Sequence, residues 1–125
     1  MQRRRGRAGE AAAREALEQK GLRFLAANLR VARSELDLVF RDGECLVFVE
    51  VKARAADGWS RPARAVDARK RRLLSQAALA YVRKLEEPRV RMRFDIVEVL
   101  LEGDVVVQVR HLPAAFALSR PYQYG

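Results

Sequence analysis

The stretch from Glu35 to Ala53 limits the fold more than any other part of this chain. Residues 35–41, Glu-Leu-Asp-Leu-Val-Phe-Arg, alternate polar and apolar side chains. That period of two belongs to a strand with distinct faces. Asp42-Gly43 follows, a strong signal for a two-residue hairpin turn. Residues 44–53, Glu-Cys-Leu-Val-Phe-Val-Glu-Val-Lys-Ala, then form a β-rich and mostly apolar run. Such a run belongs inside a sheet, covered on both faces.

This hairpin concentrates charge. With Asp42 and Gly43 as the turn, Asp37 stands opposite Phe48 and Glu35 opposite Glu50. Alternation puts Glu35 and Asp37 on one face of the first strand, and Glu50 and Lys52 on the matching face of the second. Opposed carboxylates repel across a sheet. Glu50 also adjoins Leu46-Val47-Phe48-Val49, where an unpaired charge is expensive. A divalent cation, Mg²⁺ or Mn²⁺, relieves both problems because it favours carboxylate oxygens. Asp37, Glu50 and Glu35 are the candidate metal ligands. Lys52 then projects beside the metal, where an ammonium can orient a water or stabilise charge on a transferring phosphate. The bland alternative is a polar sheet face in which Lys52 makes surface ion pairs with Glu50 or Glu35.

The flanking segments complete the domain. Residues 1–7 read as a flexible basic arm and 8–20 as a helix ended by Gly21. A strand is expected over 22–31. Residues 54–66, with Gly58, Trp59 and several arginines, read as a mobile basic loop. Asp67 is a suitable N-cap for a helix over 68–86, whose apolar face runs from Leu73 to Leu85. Strands are expected over 91–101 and 105–112. The order is helix, three strands, helix, two strands, within one domain spanning 1–125. It implies an α/β fold with a mixed sheet of about five strands flanked by helices.

Charge then narrows the partner. There are 25 Lys plus Arg against 16 Asp plus Glu, a net charge of +9. A small basic domain attracts phosphate backbones. Only four basic residues are lysine, and one of these is Lys52, where a compact point charge suits phosphate chemistry. Arg54, Arg61 and Arg64 in the loop, with Arg69, Lys70, Arg71 and Arg72 at the start of the second helix, are the candidate nucleic-acid-binding residues. No apolar run reaches the ~18 residues of a membrane span. The single Cys45 and the absence of an apolar segment after the basic start point to the cytoplasm. Asp95 and His111 read as structural, and no serine has a nucleophile's surroundings.

Asp37 followed at a distance by Glu50-Val51-Lys52 resembles the signature of the PD-(D/E)XK nucleases, with Leu36 in place of its proline. A longer set is more specific. Gly9-Glu10, Asn28, Ser34-Glu35-Leu36-Asp37, Phe48-Val49-Glu50-Val51-Lys52, Arg54, Lys70, Arg93-Phe94-Asp95 and Ala115-Phe116 resemble the bacterial YraN-like family. That family usually has glycine where this chain has Ser34. The resemblance implies a restriction-endonuclease-like core. It also implies metal-binding roles for Asp37 and Glu50, a catalytic role for Lys52, and Glu10 as a helix-borne acid completing the catalytic set.

The expected function is a metal-dependent endonuclease that hydrolyses phosphodiester bonds in DNA, including branched or damaged DNA. The expected partners are nucleic acid, DNA before RNA, and a second copy in a homodimer, with no membrane. Two alternatives stand beside it: a non-catalytic DNA- or RNA-binding module, and an interaction protein whose basic face docks an acidic partner. Residues 54–72 carry the basic surface. Replacing Arg69, Arg71 and Arg72 with alanine is expected to weaken DNA binding. It should also flatten the log–log salt dependence by about one unit per lost contact, measured by anisotropy titration across a salt series.

Overall fold

The apolar run after Gly43 becomes the middle of the sheet. The computed structural model describes residues 2–56, 66–86 and 90–119, the first five of these as backbone. The elements run α1 (Gln2–Gln19), β1 (Arg23–Val31), β2 (Ser34–Asp42), β3 (Cys45–Ala55), α2 (Ala68–Leu85), β4 (Arg91–Glu102) and β5 (Val105–Phe116). They form one mixed five-stranded sheet in the order β1-β2-β3-β4-β5. Only β3 and β4 are parallel, and α2 lies between them in sequence; the other neighbours are antiparallel.

Alternation on the central strands feeds two cores. Leu46 and Phe48 join Val39, Leu74, Ala77, Phe94 and Ile96 on the α2 side. Val47 and Val49 join Leu38, Phe40, Val97, Val99 and the α1 residues Ala13 and Leu17 on the other. Both faces of β3 are therefore covered, as its composition requires. The α2 N-terminus is fixed as expected: the Asp67 carboxylate accepts the Lys70 backbone N–H at 2.8 Å. Ser75, buried on α2, accepts the Ser119 N–H and donates to the Arg71 carbonyl, so its hydroxyl is a structural latch. Asp95 accepts from Arg93, His111 and the Ala114 N–H, which makes Asp95 and His111 structural.

Three expectations need amendment. The arm expected over 1–7 has helical backbone from Gln2, because Gln and Arg are good helix formers and one glycine does not stop them. The turn of the β2–β3 hairpin is Gly43-Glu44, closed by the pair Asp42↔Cys45. Gly43 takes φ +59° there, the left-handed position such turns reserve for glycine. Arg54 and Ala55 belong to β3, not to the loop expected over 54–66. The rest of that loop, with Trp59, Arg61 and Arg64, lies outside the described residues, apart from Ala56 and Val66. No described helix is long and apolar enough to cross a membrane.

Gly9 sets the distance between α1 and the sheet. A Cβ there would stand 3.2 Å from the Ala53 Cβ, with Val51 and Val99 also in contact. The close approach carries the neighbouring Glu10 towards β3. Gly9→Leu must push the helix off the sheet and is expected to destabilise the fold by about 1–3 kcal/mol, measured by urea unfolding.

Candidate active site at the fork of two strands

The ladder between β2 and β3 ends at Leu38↔Val49. The next residues along the two strands are Asp37 and Glu50, so the strands part where the acids stand. Two irregularities mark the fork. Asn28 on β1, between the pairs Ala27↔Leu38 and Leu29↔Leu36, has φ +51°. Leu36 packs in the α2-side core whereas Leu38 packs in the α1-side core. Residues two apart on a regular strand share a face, so β2 turns over at Asp37. The freed carboxylate fills the gap, and its Oδ2 accepts the Val51 N–H at 2.9 Å. A side chain thus replaces a backbone acceptor that β2 no longer offers.

Glu50 is 7% exposed although it bears an ionisable carboxyl group. Its Oε1 faces the Lys52 ammonium at 3.7 Å and the Lys70 ammonium at 4.0 Å. Its Oε2 is buried with no hydrogen-bond partner. Leu36, Phe48, Leu74, Phe94 and Phe116 line the small apolar cleft beside it. Burial pushes the Glu50 carboxyl above its usual range. The two lysines oppose that shift, and Glu35 adds to it. Asp37 is pushed up to about 7, first by burial and then by the Glu50 charge, against the Val51 hydrogen bond; Glu10 raises it further and Lys70 lowers it.

The structure therefore gathers Asp37, Glu50, Lys52 and Lys70. Lys70, read from sequence as a nucleic-acid-binding residue, stands at the acid pair because it opens α2 directly over the fork. Glu10 and Glu35 act only as nearby charges, Glu10 on Asp37 and Glu35 on Glu50. The expected pairing of Glu35 with Glu50 does not occur. The turn lies one residue further on, so Asp37 takes the place near Glu50, while Glu35 pairs with Arg30 across β1. Among the described residues, no three His, Cys, Asp or Glu side chains form a ready-made metal cluster.

The basic candidates separate. Arg69 and Arg72 are exposed. Arg71 is held instead: its Nε donates to the Val66 carbonyl at 2.8 Å, and its guanidinium lies 5.1 Å from the Phe116 ring centre. Two exposed arginines, rather than three, remain for the salt test on this helix. Arg54 Nε lies 3.5 Å from Glu98 Oε1. The sequence reading passed over Glu98. Its signal is a lone carboxylate within Ile96-Val97-Glu98-Val99-Leu100-Leu101, the pattern that marks Glu50.

The model of the Uncharacterised protein family UPF0102 matches residues 9–99, which include Glu10, Asp37, Glu50, Lys52, Lys70 and Glu98. The chain belongs to the UPF0102 family. A UPF0102 protein of Symbiobacterium thermophilum is 42% identical over 116 residues, covering 93% of this chain and 98% of that one. One from Chlorobaculum tepidum is 38% identical over 119 residues, covering 91% and 92%. One from Ectopseudomonas mendocina is 46% identical over 99 residues, covering 78% and 83%. The YraN-like resemblance read from Gly9 to Phe116 is thereby borne out as a family assignment. The match begins at Gly9, the residue on which α1 meets β3.

The acid pair makes stability depend on pH. Folded Asp37 keeps its proton to about pH 7, whereas its ordinary value is 3.8. Between these values the unfolded chain releases the proton and the folded chain does not, so stability falls as pH rises from about 4 to about 7. Asp37→Asn removes this loss and can still accept the Val51 N–H. In chelator, the variant is expected to match wild type near pH 4 and exceed it at pH 8 by on the order of a few kcal/mol, from about 1.4 kcal/mol per pKa unit. Denaturant melts at several pH values measure it. Identical pH profiles for the two proteins would count against a proton held on Asp37.

Proposed function

We propose that this chain is a divalent-cation-dependent nuclease of the PD-(D/E)XK type, hydrolysing phosphodiester bonds in DNA. The observation that carries the reading is the Glu50 carboxylate. It is buried beside a second acid, one oxygen has no hydrogen-bond partner, and two ammonium groups stand 3.7 and 4.0 Å from the other. A fold with no use for this charge is more stable with an apolar side chain there. The donor set suits Mg²⁺ or Mn²⁺, which favour carboxylate oxygens and retain several waters.

In this reading Asp37 and Glu50 hold the cation, with Glu10 and Glu35 supplying further negative charge from either side of the fork. A bound divalent cation supplies positive charge at the phosphoryl oxygens and makes water a better nucleophile. The chain's own groups do the rest. Asp37 stays fixed by the Val51 N–H, so its free oxygen has a defined direction. Lys52, 30% exposed, reaches from the buried acid to solvent and can stabilise the charge that develops on the phosphate. Lys70 holds Glu50 from the helix side and offsets part of the negative charge. Arg69 and Arg72, exposed near the start of α2, are placed to meet a phosphate backbone.

One observation favours the second reading, a binding module without catalysis: no three acidic or imidazole ligands converge among the described residues. Cleavage assays over single-stranded, duplex, nicked and branched DNA and over RNA, with Mg²⁺ or Mn²⁺, separate the two. Lys52→Ala is expected to keep the fold and substrate affinity but lose cleavage by on the order of 10²-fold or more. Lys52→Arg keeps the charge in a bulkier fork and is expected to remain impaired. Wild-type cleavage by Lys52→Arg would argue against a direct role. Binding without cleavage of any substrate transfers the assignment to the binding module.

A further inference from the structure

Glu98 is a carboxylate that the acid pair does not use. It is 0% exposed, and neither oxygen has a hydrogen-bond partner. Burial raises its pKa, and the charges of Arg54 and Arg110 oppose that rise. The sheet surrounds it with cations: Lys52 stands directly beside it on β3, and Arg110 directly beside it on β5. Arg54, two residues beyond Lys52, brings its Nε to 3.5 Å from Glu98 Oε1.

This places a tether behind a row of charges. Glu50, Lys52 and Arg54 alternate along β3, so they share a face and follow one another at roughly 6.7 Å intervals. Lys52 lies beside Glu50, and Arg54 is one step further along the strand. The Arg54 side chain is 27% exposed, so it touches the buried carboxylate and still reaches solvent. An arginine already partly ordered by an ion pair loses less side-chain freedom when a phosphate arrives.

We propose that Glu98 is a positioning residue for Arg54, and that Arg54 contacts a phosphate flanking the one at Lys52. The proposal rests on the nuclease reading and adds a flanking-phosphate subsite to it. The ligand is a polynucleotide strand with consecutive phosphates, not a mononucleotide or a phosphate monoester.

Charge and tether predict opposite signs, which makes the test decisive. Glu98→Gln keeps the side-chain shape and removes a negative charge. By charge alone it tightens binding to a polyanion. As the loss of a tether it weakens binding. The probe is a short fluorescein-labelled DNA, single-stranded and duplex, titrated by anisotropy across a salt series with the full chain. Glu98→Gln and Arg54→Ala are each expected to weaken binding several-fold and to flatten the duplex salt slope by up to about 0.9, the share of one phosphate. The double variant should bind no worse than Arg54→Ala alone, since both changes remove one contact. Tighter or unchanged binding by Glu98→Gln overturns the proposal, as do additive losses. Should Glu98→Gln fail to fold, the partly exposed Arg54 still decides: Arg54→Lys keeps the charge without the fork, and a wild-type affinity and slope for both Arg54 variants overturns the proposal. Wild type that cleaves DNA while Arg54→Ala binds normally overturns only this subsite. Wild type that binds no nucleic acid overturns the nuclease reading and the subsite together.

Discussion

The hydrogen bond from the Val51 N–H to the Asp37 carboxylate organises this structure. A sheet normally satisfies its backbone with backbone, and a ladder that stops early leaves donors open in the interior. Here β2 leaves β3 after Leu38↔Val49, and an acidic side chain takes over the vacated position. The same bond fixes the carboxylate at the point where the two strands part, close to the cleft beside Glu50.

The fork also joins the two sides of the sheet. α1 packs on one face and α2 on the other, and elsewhere the β-strands separate them. At the fork, Glu10 from α1 and Lys70 from α2 both act on Asp37. Each helix is brought there by a local device. Gly9 lets α1 approach β3 closely, and Asp67 caps α2 so that its first turn lies over Glu50. The folded chain holds two acids against burial and mutual repulsion. Fold stability alone does not favour that arrangement, which is common where a site is built for a charged ligand.

Much of this was legible in the residues, for identifiable reasons. The hairpin, the central strand, the capped second helix and the shared face of Asp37, Glu50 and Lys52 follow from alternation and turn chemistry. The turn itself was misplaced by one residue. That error moves each cross-strand partner by two positions and preserves faces, so the cluster survived while Glu35 lost its place opposite Glu50. Glu98 went unread because a single acid in an apolar strand becomes informative only when its neighbours on β3 and β5 are known. Arg71 looked like its exposed neighbours, since nothing local shows that Phe116, far along the chain, lies beneath it.

By itself the sequence determined the element types, the mixed α/β class and the acids that share a strand face, because these depend on short-range periodicity and on residues a few positions apart; the family followed from matching residues spread from Gly9 to Phe116. The tertiary structure decided where β2 and β3 part, that Lys70 meets Glu50, and that Arg54 rests on a buried Glu98. Those contacts join residues from separate strands and helices. They depend on how the sheet twists and where each helix lands, which no local pattern encodes.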